Sequence, residues 1–304
     1  MSPETLTDPT VETESQPVPL DQLIELCRES KLPISVEQLA WLIPNIETRD
    51  LKEHPVGKGF GVEPLAIATR EGILLDLRYE KLRPEQQQYV LGHELGHFLS
   101  SYLRQTDEVR WAQLNEMAQS LPDDEVSNYI GFLNESLKDE PSVEKIAEEK
   151  LAELITQYLN GGGTFAGMMA SKMIHLPDFE RTPENYGQLE QEAVELEGLL
   201  ASAHDGETAL GLLQQYPKLQ THFTAWQMIS KTFANSETYQ PLEDILTSDE
   251  QWEGYLDSDW LDYPELAEQF EPLSSSRPIP QKASSGQQVE KTLFDFLKFW
   301  KIFD

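Results

Sequence analysis

The sequence predicts an α+β fold, with a short β-sheet leading into one long helix and a mostly helical C-terminal region behind it. Three patterns carry that prediction. Leu65, Ile67 and Thr69 alternate along the chain, residues 70–72 offer a turn, and Ile73, Leu75 and Leu77 alternate again, which is the period of a hairpin. Leu91, Leu95, Phe98 and Tyr102 then recur at the spacing of one helix face. Beyond them, residues 142–160 and 182–202 read as further helices.

Taken in order, residues 1–19 are rich in Pro, Thr and Glu and predict a disordered N-terminus without a secretory leader. "LDQLIELCRES" and "SVEQLAWLI" read as two short helices broken at "KLP". The second of them carries Glu37 and no Lys or Arg, so the pair is expected to pack rather than to bind DNA. After the hairpin, Pro84 suits a first helical turn and Glu85 favours a helix N-terminus. Residues 104–140 are polar and expected to be helical in part. In "PSVEKIAEEKLAELITQYLNGGG", Ser142 is placed to cap a helix that the glycines from Gly161 stop. Thr182 and Pro183 start the next. The expected organisation is a core over 20–160, a helical acidic region over 161–271, a flexible linker over 272–288 and an apolar tail helix over 289–304.

Composition limits the function classes. The 304-residue chain is 39% hydrophobic, which suits one or two globular domains. Its net charge of −31 argues against direct nucleic-acid binding, which needs clustered Lys and Arg, and against anionic membranes. No apolar run is long enough to predict a membrane span. A single cysteine, Cys27, excludes an intrachain disulfide and fits a reducing, cytoplasmic compartment.

Two of the six histidines stand in "LGHELGHFLS", four residues apart, with a glutamate after the first. On a helix, His93 and His97 lie one turn apart on the same face, so both imidazoles can reach one metal ion. Glu94 is rotated roughly 100° from His93 and does not ligate; it stands where it can take a proton from a water. That is the logic of His-Glu-x-x-His with Zn2+: two ligands, one general base and one open position. Gly92 and Gly96 each cost the helix roughly 1 kcal/mol relative to Ala, and leave room for a close-packed neighbour or a substrate backbone. His54, His175, His204 and His222 show no ligand spacing.

A third ligand must come from elsewhere, because Ser100 and Leu103 occupy the Gly and His positions of the extended motif. The helix over 142–160 offers two Glu-x-x-Ala-Glu units, Glu144 to Glu148 and Glu149 to Glu153. A helical wheel centres its apolar stripe on Ala147, Leu151, Leu154 and Tyr158. Glu144 falls inside that stripe, Glu148 on its edge and Glu149 further round, so the wheel favours Glu144 or Glu148.

"GILLDLRYEKLRPEQQQYVLGHELGHFLSS" resembles the core of ImmA/IrrE-type zinc metallopeptidases. In that family a short sheet precedes the His-Glu-Leu-Gly-His helix, and a later helix supplies a glutamate in a Glu-x-x-Ala setting. The match covers roughly residues 60–160. It implies a zincin-like core, His93 and His97 as ligands and Glu94 as base. Against the wheel, it implies Glu149 as the third ligand, because the family motif with its following "LITQYL" aligns from there. Two departures stand out. His97 and Glu149 are 52 residues apart (149 − 97), longer than the family leads one to expect, and "NGGGTFAG" replaces the usual Pro after the second helix.

The expected function is therefore a zinc-dependent endopeptidase acting on a protein or peptide, which the resemblance makes a helix-turn-helix repressor. The alternative is a non-catalytic acidic binding protein with a structural or vestigial zinc site. It rests on residues 237–271, which hold twelve acidic groups and no Lys or Arg. "GKGFG" at 57–61 and "DSDW" at 257–260 lack the residues of a phosphate loop and a calcium loop. The tail over 289–304 is expected to dock on its own domain or on a partner, since eight of the eleven residues from 293 to 303 are large and apolar.

Overall fold

The computed structural model describes residues 19–52, 64–69, 72–121, 143–172, 174, 186–204 and 206–247. The expectations for residues 1–18, for 57–61, for most of the acidic stretch, for the linker and for the tail lie outside the described residues. So do the start signals at Ser142, Thr182 and Pro183.

The chain opens with α1 (Pro19–Glu29) and α2 (Val36–Leu42). α1 has Asp21 in its first turn and Arg28 in its last, both favourable to the helix dipole. It ends where Lys31 turns to φ 59° and the Leu32 amide donates to the Cys27 carbonyl at 2.9 Å. α2 starts on a capping box: the Gln38 amide donates to Ser35 Oγ, and the Ser35 amide donates to the Gln38 side chain at 2.7 Å. Leu23, Leu26, Leu39 and Leu42 are buried in the main core, so the pair packs as expected.

The sheet has three strands, β1 (Ile46–Arg49), β2 (Ala66–Thr69) and β3 (Gly72–Asp76), in the order β1-β3-β2. β2 and β3 form the expected antiparallel hairpin, with Ala66 opposite Leu75 and Thr69 opposite Gly72. β1 was not foreseen; it lies parallel to β3, with Ile46 opposite Ile73. Where the chain leaves Asn45, a Cβ on Gly72 (φ 135°) would stand 1.9 Å from the Asn45 carbonyl oxygen, so only glycine admits this crossing. As the central strand, β3 is buried on both faces. Ile73 and Leu75 join the main core, while Leu74 packs with Ile67 and Leu51 on the other side. Asp76 fastens the sheet edges: it accepts from the Leu51 amide at 2.8 Å and from Arg78 Nε at 2.6 Å, while Arg78 Nη2 donates to the Pro64 carbonyl.

After a 3-10 turn (Tyr79–Lys81) comes α3 (Pro84–Thr106), with Pro84 at its start as expected. Leu91, Leu95, Phe98 and Tyr102 are all fully buried. Each such side chain contributes roughly 1.5–3 kcal/mol by burial. α4 (Glu108–Ser120) follows on an Asp107 cap, then α5 (Val143–Asn160), stopped at Gly161–Gly163, where Gly162 and Gly163 take left-handed φ. α6 (Phe165–Ser171), α7 (Tyr186–Ala201), α8 (Gly206–Leu213), α9 (Gln220–Phe233) and α10 (Gln240–Thr247) complete the described chain.

The fold is mostly helical with a small mixed sheet, consistent with an α+β class. α3 and α5 run antiparallel and make the most extensive helix pairing. Around them Ala225, Ile229 and Phe233 of α9 and Leu242 of α10 share the main core with α1, α2 and the sheet. A second cluster, built on Phe165, Met169, Leu196, Leu213 and Phe223, ties α6 to α7, α8 and α9. No helix of the described residues is long and apolar enough to cross a membrane.

Candidate metal centre

The α3–α5 contact creates the site. A Cβ on Gly96 would lie 2.6 Å from the Ala152 carbonyl oxygen, so α3 is bare where the backbone of α5 crosses it. One on Gly92 would lie 2.7 Å from Asn160 Nδ2. The room left by the two glycines is filled by α5, and Ala152 is the small residue that permits the approach.

On α3, His93 and His97 point the same way, their Nε2 atoms 3.2 Å apart and their rings edge to face at 89°. From α5, Glu149 Oε2 lies 3.4 Å from His93 Nε2 and 3.6 Å from His97 Nε2. The three side chains are 13–14% exposed, at the rim of the core rather than in open solvent. Among the described residues, these three bring their ligand atoms close enough together to share an ion. With zinc–ligand bonds of about 2.0–2.1 Å, the ligand atoms of a tetrahedral site stand about 3.3–3.4 Å apart. The observed edges of 3.2, 3.4 and 3.6 Å match that triangle. Two imidazole nitrogens and a carboxylate oxygen are also a donor set that suits zinc. The residues fit the ion.

Glu94 stands beside this triangle without joining it and is 5% exposed. Burial pushes its carboxyl up to about 7, with Glu149 adding to the rise, while His93 and the backbone amide of Ala68 on β2 oppose it. It is an acid–base group near neutrality. Burial works against charge on His93, yet its contacts with Glu149 and Glu153 prevail and raise its pKa well above the ordinary value. The surrounding carboxylates thus favour a positive charge here, a demand that a divalent cation meets.

Of the residues singled out in sequence, the structure brings together His93, Glu94, His97 and Glu149. Glu148 turns away: it is 35% exposed and accepts from Arg104 Nη1 at 3.1 Å, so the wheel's preference for that position is not met. The side chain of Glu144 lies outside the described residues. The wheel assumed a single buried stripe, but α5 is buried on nearly every face from Leu151 to Leu159, and Glu149 lies on a second face turned to α3. Ser100 accepts from Trp111 Nε1 and supports α4. His54 and His175 lie outside the described residues, His204 is exposed, and His222 is buried against Lys172 Nζ at 3.2 Å.

Two residues of the site had not been assigned a part. Glu153 Oε2 lies 3.4 Å from His93 Nδ1, and Tyr89 donates its hydroxyl to Glu153 Oε1. The signal was present in the spacing, since Tyr89 stands four before His93 and Glu153 four after Glu149.

Comparison with protein-family models, with curated proteins and with solved structures finds no match to this chain.

Proposed function

We propose that the chain is a zinc-dependent endopeptidase of the ImmA/IrrE-type zincin kind. The observation that carries the reading is the triangle of His93 Nε2, His97 Nε2 and Glu149 Oε2 at tetrahedral spacing, with a buried carboxylate, Glu94, directly beside it. A zinc ion held by these three would act as a Lewis acid on a scissile carbonyl and would acidify water.

The remaining work falls to the chain. Glu94 takes a proton from the attacking water and delivers it to the leaving amine, a transfer that requires it to be unprotonated before attack. The backbone amide of Ala68 on β2 favours the charged form of the Glu94 carboxyl, the form that accepts the proton. Burial of Glu94 within α3 keeps bulk water from exchanging with it. The substrate class is a protein or peptide, and the family resemblance makes a helix-turn-helix repressor the first candidate.

The test is a proteome-wide comparison of cleavage products between wild type and Glu94→Gln at equal zinc content. The proposal expects products that appear with wild type and vanish with the variant. Zinc binding with no wild-type-dependent product from any peptide, including the native proteome of the source, would favour the non-catalytic acidic binding protein instead.

A further inference from the structure

Two ladders face each other across the α3–α5 contact. On α3, Tyr89, His93 and His97 follow at four-residue intervals, and on α5 so do Glu149, Glu153 and Gln157. Glu149 faces both histidines, as described. The rung behind it is the unusual one. Glu153 is 1% exposed, yet it does not face the shared Nε2 atoms. Its Oε2 meets the opposite ring nitrogen of His93, Nδ1, at 3.4 Å, and its Oε1 accepts from the Tyr89 hydroxyl and from Gln157 Nε2 at 3.1 Å. Tyr89 and Gln157 are themselves buried.

A neutral imidazole has one N–H donor and one lone pair, and the group facing one nitrogen decides which is which. A carboxylate oxygen 3.4 Å from Nδ1, itself without a hydrogen-bond partner among the described residues, favours the proton on that nitrogen and the lone pair on Nε2, towards His97 and Glu149. A buried glutamate is costly unless donors surround it. Tyr89 and Gln157 are those donors, and they leave Oε2 aimed at the ring.

We infer that Glu153, locked in place by Tyr89 and Gln157, is a positioning residue that fixes the tautomer and ring orientation of His93 for the ion. This inference rests on the metal site proposed above. Tyr89 acts one step further out, through its hydroxyl on Glu153.

The experiment measures zinc affinity by competition with a chromophoric chelator for wild type, Glu153→Gln, Tyr89→Phe and the double variant. Thermal melts in EDTA run alongside to report folding. Loss of a partner behind a ligating histidine weakens metal binding by about 10–100-fold, which is the expectation for Glu153→Gln. Tyr89→Phe should weaken zinc in the same direction by a smaller factor. In the Glu153→Gln background it should add nothing, because its route to the ion is already cut. The visible spectrum of the cobalt-loaded protein should change in both single variants, which a loss of packing remote from the ion would not produce. Tyr89→Phe removes one hydroxyl and keeps the ring, so it carries the test alone should Glu153→Gln not fold.

Unchanged zinc affinity and cobalt spectra in folded variants, with wild type binding zinc, would overturn this inference and leave the metal site standing. Losses that multiply in the double variant would overturn the part given to Tyr89. A wild type that binds no zinc would remove the metal site itself.

Discussion

Replacing Gly96 by Ala should destabilise the protein, although alanine is the better helix former. A Cβ at Gly96 would stand 2.6 Å from the Ala152 carbonyl oxygen and 3.2 Å from the carbonyl carbon and Cα of the same residue. A relaxed contact is about 3.5 Å, so α5 would have to retreat by roughly 0.9 Å. The obstacle is backbone within a helix buried on nearly all sides, so no side chain can swing away. Overpacking of this kind costs about 1–3 kcal/mol, against a gain of about 1 kcal/mol from helix propensity. The net loss is about 0–2 kcal/mol, or up to roughly 4–8 °C at about 2–4 °C per kcal/mol. The same retreat carries Glu149, one turn before Ala152, away from the histidines, so zinc affinity should fall as well. Gly198 in α7 is the internal control. A Cβ there meets nothing within 4 Å, so Gly198→Ala should gain about 0.5–1 kcal/mol. Thermal melts with EDTA and with added zinc read both effects. If Gly96→Ala gained as much stability as Gly198→Ala and kept wild-type zinc affinity, the close approach of α3 and α5 would be refuted.

Two other perturbations test the scaffold. Asp76→Ala should cost about 2–4 kcal/mol in chemical denaturation, because it strips acceptors from the Leu51 amide and from Arg78; Arg78 is partly exposed, which softens the loss. A loss below 1 kcal/mol would mean that Asp76 does not fasten the sheet. Burial first, and the Lys172 ammonium second, push His222 down to about 3 from 6.5. The unfolded chain then binds a proton that the folded chain refuses, so this contribution to stability is complete above about pH 6.5 and declines as pH falls towards 3. The slope is at most about 1.4 kcal/mol per pH unit. His222→Gln should flatten the acid limb of stability against pH, and an unchanged limb would contradict the assignment.

The parts of the fold legible in the sequence are those with a clean period. The α3 stripe through Leu91, Leu95, Phe98 and Tyr102 and the alternation of β2 and β3 needed only spacing to be recognised. β1 escaped because Ile46-Glu-Thr-Arg49 carries a single apolar residue, and it becomes a strand through its parallel pairing with β3. At the site, His93, Glu94 and His97 are local to one helix turn and were visible as such. Glu149 was reached by resemblance and not by the wheel, since a helix surrounded on nearly every side has no single stripe to centre. The part of Glu153 needs the antiparallel register of α3 against α5, which sequence periodicity within either helix does not contain.

The most direct test of the account compares the zinc content of Glu149→Gln and Glu148→Gln with that of wild type, by elemental analysis after identical dialysis. These neighbours in sequence are separated in space, one facing His93 and His97 and the other paired with Arg104. About one zinc per chain is expected in wild type and in Glu148→Gln, and little or none in Glu149→Gln. Full zinc in Glu149→Gln, or none in wild type, would contradict that expectation.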